Sequence, residues 1–349
     1  MNVGFGRRTL VLRAGPVSVR LGVRTCVSVL VLLALAAGVG VLALGTGQFS
    51  LPPAQVVEVL SGGGSRAARL VVLDWRLPRV LLALLLGAAL GLSGAVFQAL
   101  LRNPLGSPDV LGFGTGAFTG VLVTMAVAGR GFAVTATGAL VGGLLTAGAV
   151  YLFAYRRGVQ GFRLIVVGIG VSAFLTSLNQ WFLIRVNLQT AMAAAVWGQG
   201  SLNELGWAQV GPAAAVIGVL AAGLLALGGR LRQLELGDDA AAALGVRVGP
   251  ARLAYLAVGV ALTAAATAVA GPVSFVALAA PQLARRLAGT AGIALAPAAA
   301  TGALLLAGSD FLAARVFAPT TLPVGVVTVA LGGIYLVWLL AAQGRGGGR

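Results

Sequence analysis

Residues 79–100 read RVLLALLLGAALGLSGAVFQAL, and beyond the opening arginine the polar side chains are Ser93 and Gln98 alone. A helix rising about 1.5 Å per residue makes this run about 33 Å long, the thickness of a bilayer's hydrocarbon core. On one side stands Arg76-Leu77-Pro78. On the other stands Arg102-Asn103-Pro104-Leu105-Gly106-Ser107-Pro108-Asp109, a tight polar break with two prolines. Stretches of the same kind recur at about 23–44, 110–128, 132–155, 164–182, 207–227, 253–270, 273–287, 293–313 and 323–340. The reading is an all-α polytopic membrane protein with about ten transmembrane helices.

Composition points the same way. Of 349 residues 59% are hydrophobic and 9% charged, too few charges to cover a water-facing surface of this size. A soluble enzyme, a disordered chain and a disulfide scaffold are excluded. The single cysteine, Cys26, reads as a small buried hydrophobe. Histidine is absent, which removes histidine acid–base chemistry and histidine metal sites. The 53 glycines follow no triplet period and suggest close helix–helix contact through small residues.

The formal charge is +16, and every basic residue is arginine. The arginines fall between apolar runs, so topology and contact with a membrane surface explain them better than nucleic acid does. With the N-terminus inside, seventeen arginines lie on the cytoplasmic side and seven outside, the expected bias. Both termini are then cytoplasmic. The expected division is a cytoplasmic segment at 1–22, one transmembrane domain at 23–340 and a cytoplasmic tail at 341–349. The first span is read as retained, because no small-residue cleavage site follows it.

Three polar segments stand out. Gly237-Asp238-Asp239-Ala240-Ala241-Ala242-Ala243-Leu244-Gly245 lies in the largest inner loop, at about 236–248. Asp238 or Asp239 is expected to cap a short helix there, and Gly245 to close it. That helix suits a partner's groove, or is a solvated linker. Arg76 and Arg79 bracket Leu77-Pro78 on the outer side, with Arg315 a third outer arginine. They suit an acidic partner or lipid phosphate. Asp310 is a candidate partner for Arg315, although five residues is a poor helical spacing. Ser172, Thr176, Asn179 and Gln180 in the fifth span are candidates for an interior path, along with Ser93, Gln98, Ser177, Thr263 and Thr267. Residues 45–77 read as the longest polar segment outside the spans, and 186–206 as a semi-polar stretch holding a short interfacial helix.

Acidic residues are nearly absent from the spans, which argues against a self-powered carrier. Without lysine the chain has no Gly-x-x-x-x-Gly-Lys phosphate loop. Nucleotide-driven work therefore needs another subunit.

Several motifs occur in order: Arg76-Leu77-Pro78-Arg79, Gly87 through Gln98, Arg102-Asn103-Pro104-Leu105, Gly168 through Ser172, and Trp197-Gly198. They continue with Leu236-Gly237 and Leu244-Gly245, Ala270 through Phe275, Pro281-Gln282, Asp310 to Arg315, and Leu322-Pro323-Val324-Gly325. Together they resemble the FecCD/BtuC-type permease subunit of iron–siderophore and cobalamin ABC importers, over roughly residues 76–338. The resemblance implies a type II importer permease fold, a second permease subunit, identical or related, two ATP-binding subunits and an extracytoplasmic substrate-binding protein. The permease is embedded in membrane lipid in the bacterial cytoplasmic membrane and takes no nucleic acid. It is non-catalytic and binds no cofactor or metal, with ATP–Mg on the partner ATPase. By resemblance Arg76, Arg79 and Arg315 receive acids of the binding protein. Gly237, Asp238, Asp239, Ala240, Ala241, Leu244 and Gly245 form the coupling segment, and the fifth span lines the path. Ferric siderophores are the expected substrate, with cobalamin or haem the alternative. The chain departs from the family pattern at Gln282, usually histidine, and at Thr321, usually glutamate.

Overall fold

The computed structural model describes residues 9–14, 17–155, 161–316, 318 and 320–346. Parts of the expected N-terminal segment (1–8, 15–16) and tail (347–349) lie outside the described residues, as do Arg156 and Arg157.

The chain opens with an antiparallel pair, β1 (Thr9–Ala14) and β2 (Val17–Gly22), in which Thr9 faces Gly22. The helices are α1 (Val23–Gly45), α2 (Pro53–Leu60), α3 (Arg66–Arg69), α4 (Leu77–Leu101), α5 (Phe113–Ala128), α6 (Phe132–Ala154) and α7 (Gly161–Arg185). They continue with α8 (Leu188–Trp197), α9 (Trp207–Glu235), α10 (Asp238–Ala243), α11 (Val248–Ala270), α12 (Val276–Ala288), α13 (Leu295–Ala313) and α14 (Val324–Gly346). Each of the ten expected spans coincides with one of these helices. Among the described residues, seven helical segments are long and apolar enough to cross a membrane. The apolar parts of α5 and α14 are shorter, and α12 has 13 residues.

Within the expected polar segment ahead of α4, residues 66–76 are helical: α3 runs through a π-helical stretch, Leu70–Arg76, directly into α4. Pro78 has no N–H for the helical ladder. The ladder shifts register just before it, and the Leu77 N–H bonds Val72 O instead of the carbonyl four residues back. The segment from Leu51 to Val72 packs as a small second core, where Val56, Val59 and Val72 are buried beside Leu44 and Val80.

α4 is the axis of the fold. Eighteen of its 25 residues are buried, against three of 25 in α7, so the two have opposite roles. The glycines of α4 explain the packing. A Cβ on Gly87 or Gly91 would strike the backbone of Gly302 or Ala298 in α13, and one on Gly94 would strike the carbonyl of Ala277 in α12. Close backbone approach maximises dispersion contact where lipid supplies no hydrophobic drive between helices. α5 and α6 repeat the device, with Gly116 and Gly120 against Gly142 and Gly138.

Buried polar groups join the helices. Ser93 Oγ lies 2.7 Å from both Gly259 O and Thr263 Oγ1 of α11. Gln98 donates to Leu278 O at 2.9 Å and accepts from Arg285 at 3.1 Å. These bonds sit inside the subunit, where Ser93, Gln98 and Thr263 hold helices together. Between α11 and α12 the chain is not helical. Ser201 N–H donates to Ala270 O, Gly325 N–H to Gly200 O, and Phe275 adopts φ +69°. Ahead of α5 the chain forms a 3-10 turn, Pro108–Leu111.

Candidate functional site

The expected site residues fall into three regions. At the end of the bundle where α4 begins, Arg79 and Asp310 form a two-pronged pair: Nε to Oδ2 and Nη2 to Oδ1, both 2.8 Å. This corrects the expected Asp310–Arg315 pairing. Arg315 lies past the end of α13, whereas α4 and α13, packed through their glycines, bring Arg79 opposite Asp310. Arg76 donates to Leu44 O at 2.7 Å and to Phe49 O at 2.8 Å, so it ties α1 and the following turn to α4. Arg315 lies close enough for its charge to act on Arg76. Its Nη2 is buried and has no hydrogen-bond partner among the described residues. Thr321, where the family pattern has glutamate, lies 3.4 Å from Asn203 Nδ2 as a hydrogen-bond acceptor.

At the opposite end stands α10. Its N-cap is Gly237, at φ +119° and ψ +159°, and neither aspartate caps it. Asp238 is instead drawn sideways to Arg102 and Arg252. Both aspartates still lie in the first turn, at the positive end of the helix. The close of α10 is as expected. Gly245, at φ +83°, donates to Ala242 O, and Val246 donates to Ala241 O. That pair of bonds is the Schellman arrangement, and the φ requires glycine or strain. Ala241 is fully buried, while Asp239, Ala242, Ala243 and Leu244 face outward. Leu236 and Leu244, 68% and 57% exposed, flank the helix and give it a small apolar face.

On α7, Ser172, Thr176, Asn179 and Gln180 form one stripe with two edges. Asn179 is buried and donates to Thr115 O of α5 at 3.2 Å, and Ser172 Oγ is buried under Gly112. Asn179 Oδ1 and Ser172 Oγ have no hydrogen-bond partner among the described residues. Thr176 bonds its own turn at Ser172 O, and both it and Gln180 are exposed. The stripe therefore runs along the seam where α7 leaves α5. The rest of α7 exposes Ile169, Phe174, Trp181 and Ile184.

Sequence reasoning missed three contributors. Arg102 looked like a topology marker, yet it closes α4 in the left-handed region at φ 48° and reaches Asp238. Arg252 is its counterpart on α11. Glu235 accepts from the Ile293 N–H at 3.0 and 3.1 Å and so joins α9 to the turn before α13. Their partners lie 136, 14 or 58 residues away, so no local pattern signals them. Gln282 is held on both sides: it donates to Pro104 O at 2.7 Å and accepts from Tyr335 at 3.1 Å. Glutamine donates and accepts at once, so it joins the turn after α4 to α14.

Residues 31–342 match the model of the FecCD transport family. The chain is 51% identical over 322 residues to the ferric enterobactin transport system permease protein FepG of Escherichia coli (strain K12), covering 92% of this chain and 98% of that protein. It is 37% identical over 320 residues to the probable siderophore transport system permease protein YfhA of Bacillus subtilis (strain 168), covering 89% and 93%. Its fold is similar to a solved inward-facing conformation of a metal-chelate type ABC transporter, with a TM-score of 0.81, 26% identity and coverage of 90% and 98%.

Proposed function

Because the chain belongs to the FecCD transport family, we propose that it is the membrane-spanning permease of an ATP-driven, binding-protein-dependent importer of ferric siderophores, with a ferric catecholate of the enterobactin type as its substrate. The observation that carries the substrate class is the 51% identity to FepG across 98% of that protein. The chain itself is non-catalytic. ATP–Mg belongs to the partner ATPase, and the work done here is a shift between states of the bundle.

The two ends of the bundle take different roles in this reading. The α10 end is cytoplasmic, along with both termini, in the bacterial cytoplasmic membrane. The exposed Leu236 and Leu244 and the small outward face of α10 fit a groove on an ATPase subunit. The Arg76 end is extracytoplasmic and receives the binding protein. There the three arginines are not equivalent. Arg79 is taken up by Asp310, and Arg76 by backbone carbonyls, whereas Arg315 has a buried guanidinium nitrogen with no hydrogen-bond partner among the described residues. Arg315, with Arg76 beside it, is thus the stronger receptor for a carboxylate. The open edge of the α7 stripe, Thr176 and Gln180, faces the path between two permease subunits, with Ser172 and Asn179 behind it. The second permease subunit is identical or closely related.

The testing experiment is uptake of radiolabelled ferric enterobactin by cells lacking their own permease and carrying this chain with its ATPase and binding protein. Uptake that requires all three supports the reading. Uptake of cobalamin or haem in place of the iron chelate would replace the substrate.

A further inference from the structure

Asp238 is a meeting point of three helices. Its Oδ1 accepts from Nη2 of Arg102 at 2.5 Å and from Nη2 of Arg252 at 2.6 Å. The same Arg102 nitrogen lies 3.3 Å from Leu234 O, in the last turn of α9. Arg102 is the residue that closes α4, in a left-handed conformation that L side chains rarely adopt. Glycine or asparagine would hold that turn with less strain; arginine adds a reach from the end of α4 to the start of α10. Arg252 makes the matching reach from the first turns of α11.

The side chains of Arg102, Asp238 and Arg252 are 42%, 47% and 15% exposed. Ion pairs this exposed contribute little to stability, so the cluster is better understood through what it joins. α10 has six residues and one buried side chain, Ala241. Behind Arg102 stands α4, bonded to α11 through Ser93 and to α12 through Gln98. A displacement of α10 that carried Arg102 and Arg252 with it would move the axis of the bundle. With the charges removed, α10 could shift while α4 stayed in place.

We propose that Arg102 and Arg252 clamp Asp238 so that displacement of α10 is handed to α4 and α11 together, which makes Arg102 a positioning residue for the coupling of ATP use to transport. This rests on the reading of α10 as the ATPase-docking element.

The test uses the full complex of permease, ATPase and binding protein in liposomes, with ferric enterobactin as the probe. R102Q is expected to leave assembly and basal ATP hydrolysis unchanged, and to lower chelate imported per ATP hydrolysed roughly five- to tenfold, the range of a modest coupling energy. R102K is expected to keep most of the coupling. R102Q/D238N should be no worse than D238N alone, since a shared interaction is lost only once. Should R102Q fail to assemble, R252Q reads the same link from α11. Native import per ATP in R102Q and R252Q, or additive losses in the double variant, would overturn the clamp. The docking reading fails separately, and the clamp with it, if replacing 238–244 by a Gly/Ser segment leaves ATPase binding intact.

Discussion

Arg79 and Asp310 stand 231 residues apart in sequence and meet through two 2.8 Å hydrogen bonds. Asp310 is 7% exposed and Arg79 23%. Removing one partner strands the other in a poorly hydrated seam between α4 and α13. R79A or D310A should therefore destabilise the subunit by about 3–5 kcal/mol, the usual result of breaking a buried pair from one side. Thermal unfolding in detergent checks this. R79E should be worse than R79A, because it sets two carboxylates face to face. Charge reversal at Arg79 is thus a fold variant before it is a docking variant.

Docking is better tested at Arg315. R315E is expected to abolish stimulation of ATP hydrolysis by the binding protein, while ATPase subunits still assemble and unfolding temperature stays within a few degrees of native. Contact between opposite charges across a docking surface weakens with salt, so the stimulation of the native complex should fall as ionic strength rises. Native stimulation of R315E would remove Arg315 from the docking surface.

Replacing residues 238–244 with a Gly/Ser segment should have the reverse effect. Binding protein still engages the extracytoplasmic end, but co-purification of the ATPase subunits is lost. Pull-down in detergent from both sides reads the two outcomes independently.

Glycine packing gives a stability prediction with a built-in control. A methyl at Gly94 would meet the Ala277 carbonyl, a backbone atom that cannot swing aside, whereas one at Gly218 in α9 meets nothing within 4 Å. Alanine favours a helix over glycine by about 1 kcal/mol, and overpacking costs about 1–3 kcal/mol. G94A should therefore lower the unfolding temperature, while G218A leaves it unchanged or raises it.

Much of the fold was legible because a bilayer enforces a length. Runs such as 79–100 announce a helix by apolarity alone, and α12 was recognisable as short from Gly271-Pro272 ahead of it and Arg285-Arg286 at its end. The helix before Pro78 was hidden, because Arg66, Arg69 and Asp74 read only as part of a polar segment and a π-helical register shift leaves no compositional trace. The close of α10 at Gly245 could be read locally, since a left-handed residue there favours glycine. The fate of Asp238 could not, since its partners come from α4 and α11. Likewise Asp310 looked toward the nearest arginine in sequence, and the glycine contacts between α4 and α13 chose a different one.

The most direct test of the central claim is import of radiolabelled ferric enterobactin into liposomes holding the permease with its ATPase, with binding protein outside and ATP enclosed. The account predicts accumulation that needs both binding protein and ATP hydrolysis, and that is lost with a hydrolysis-deficient ATPase. Accumulation independent of ATP, or driven by an ion gradient alone, would contradict it.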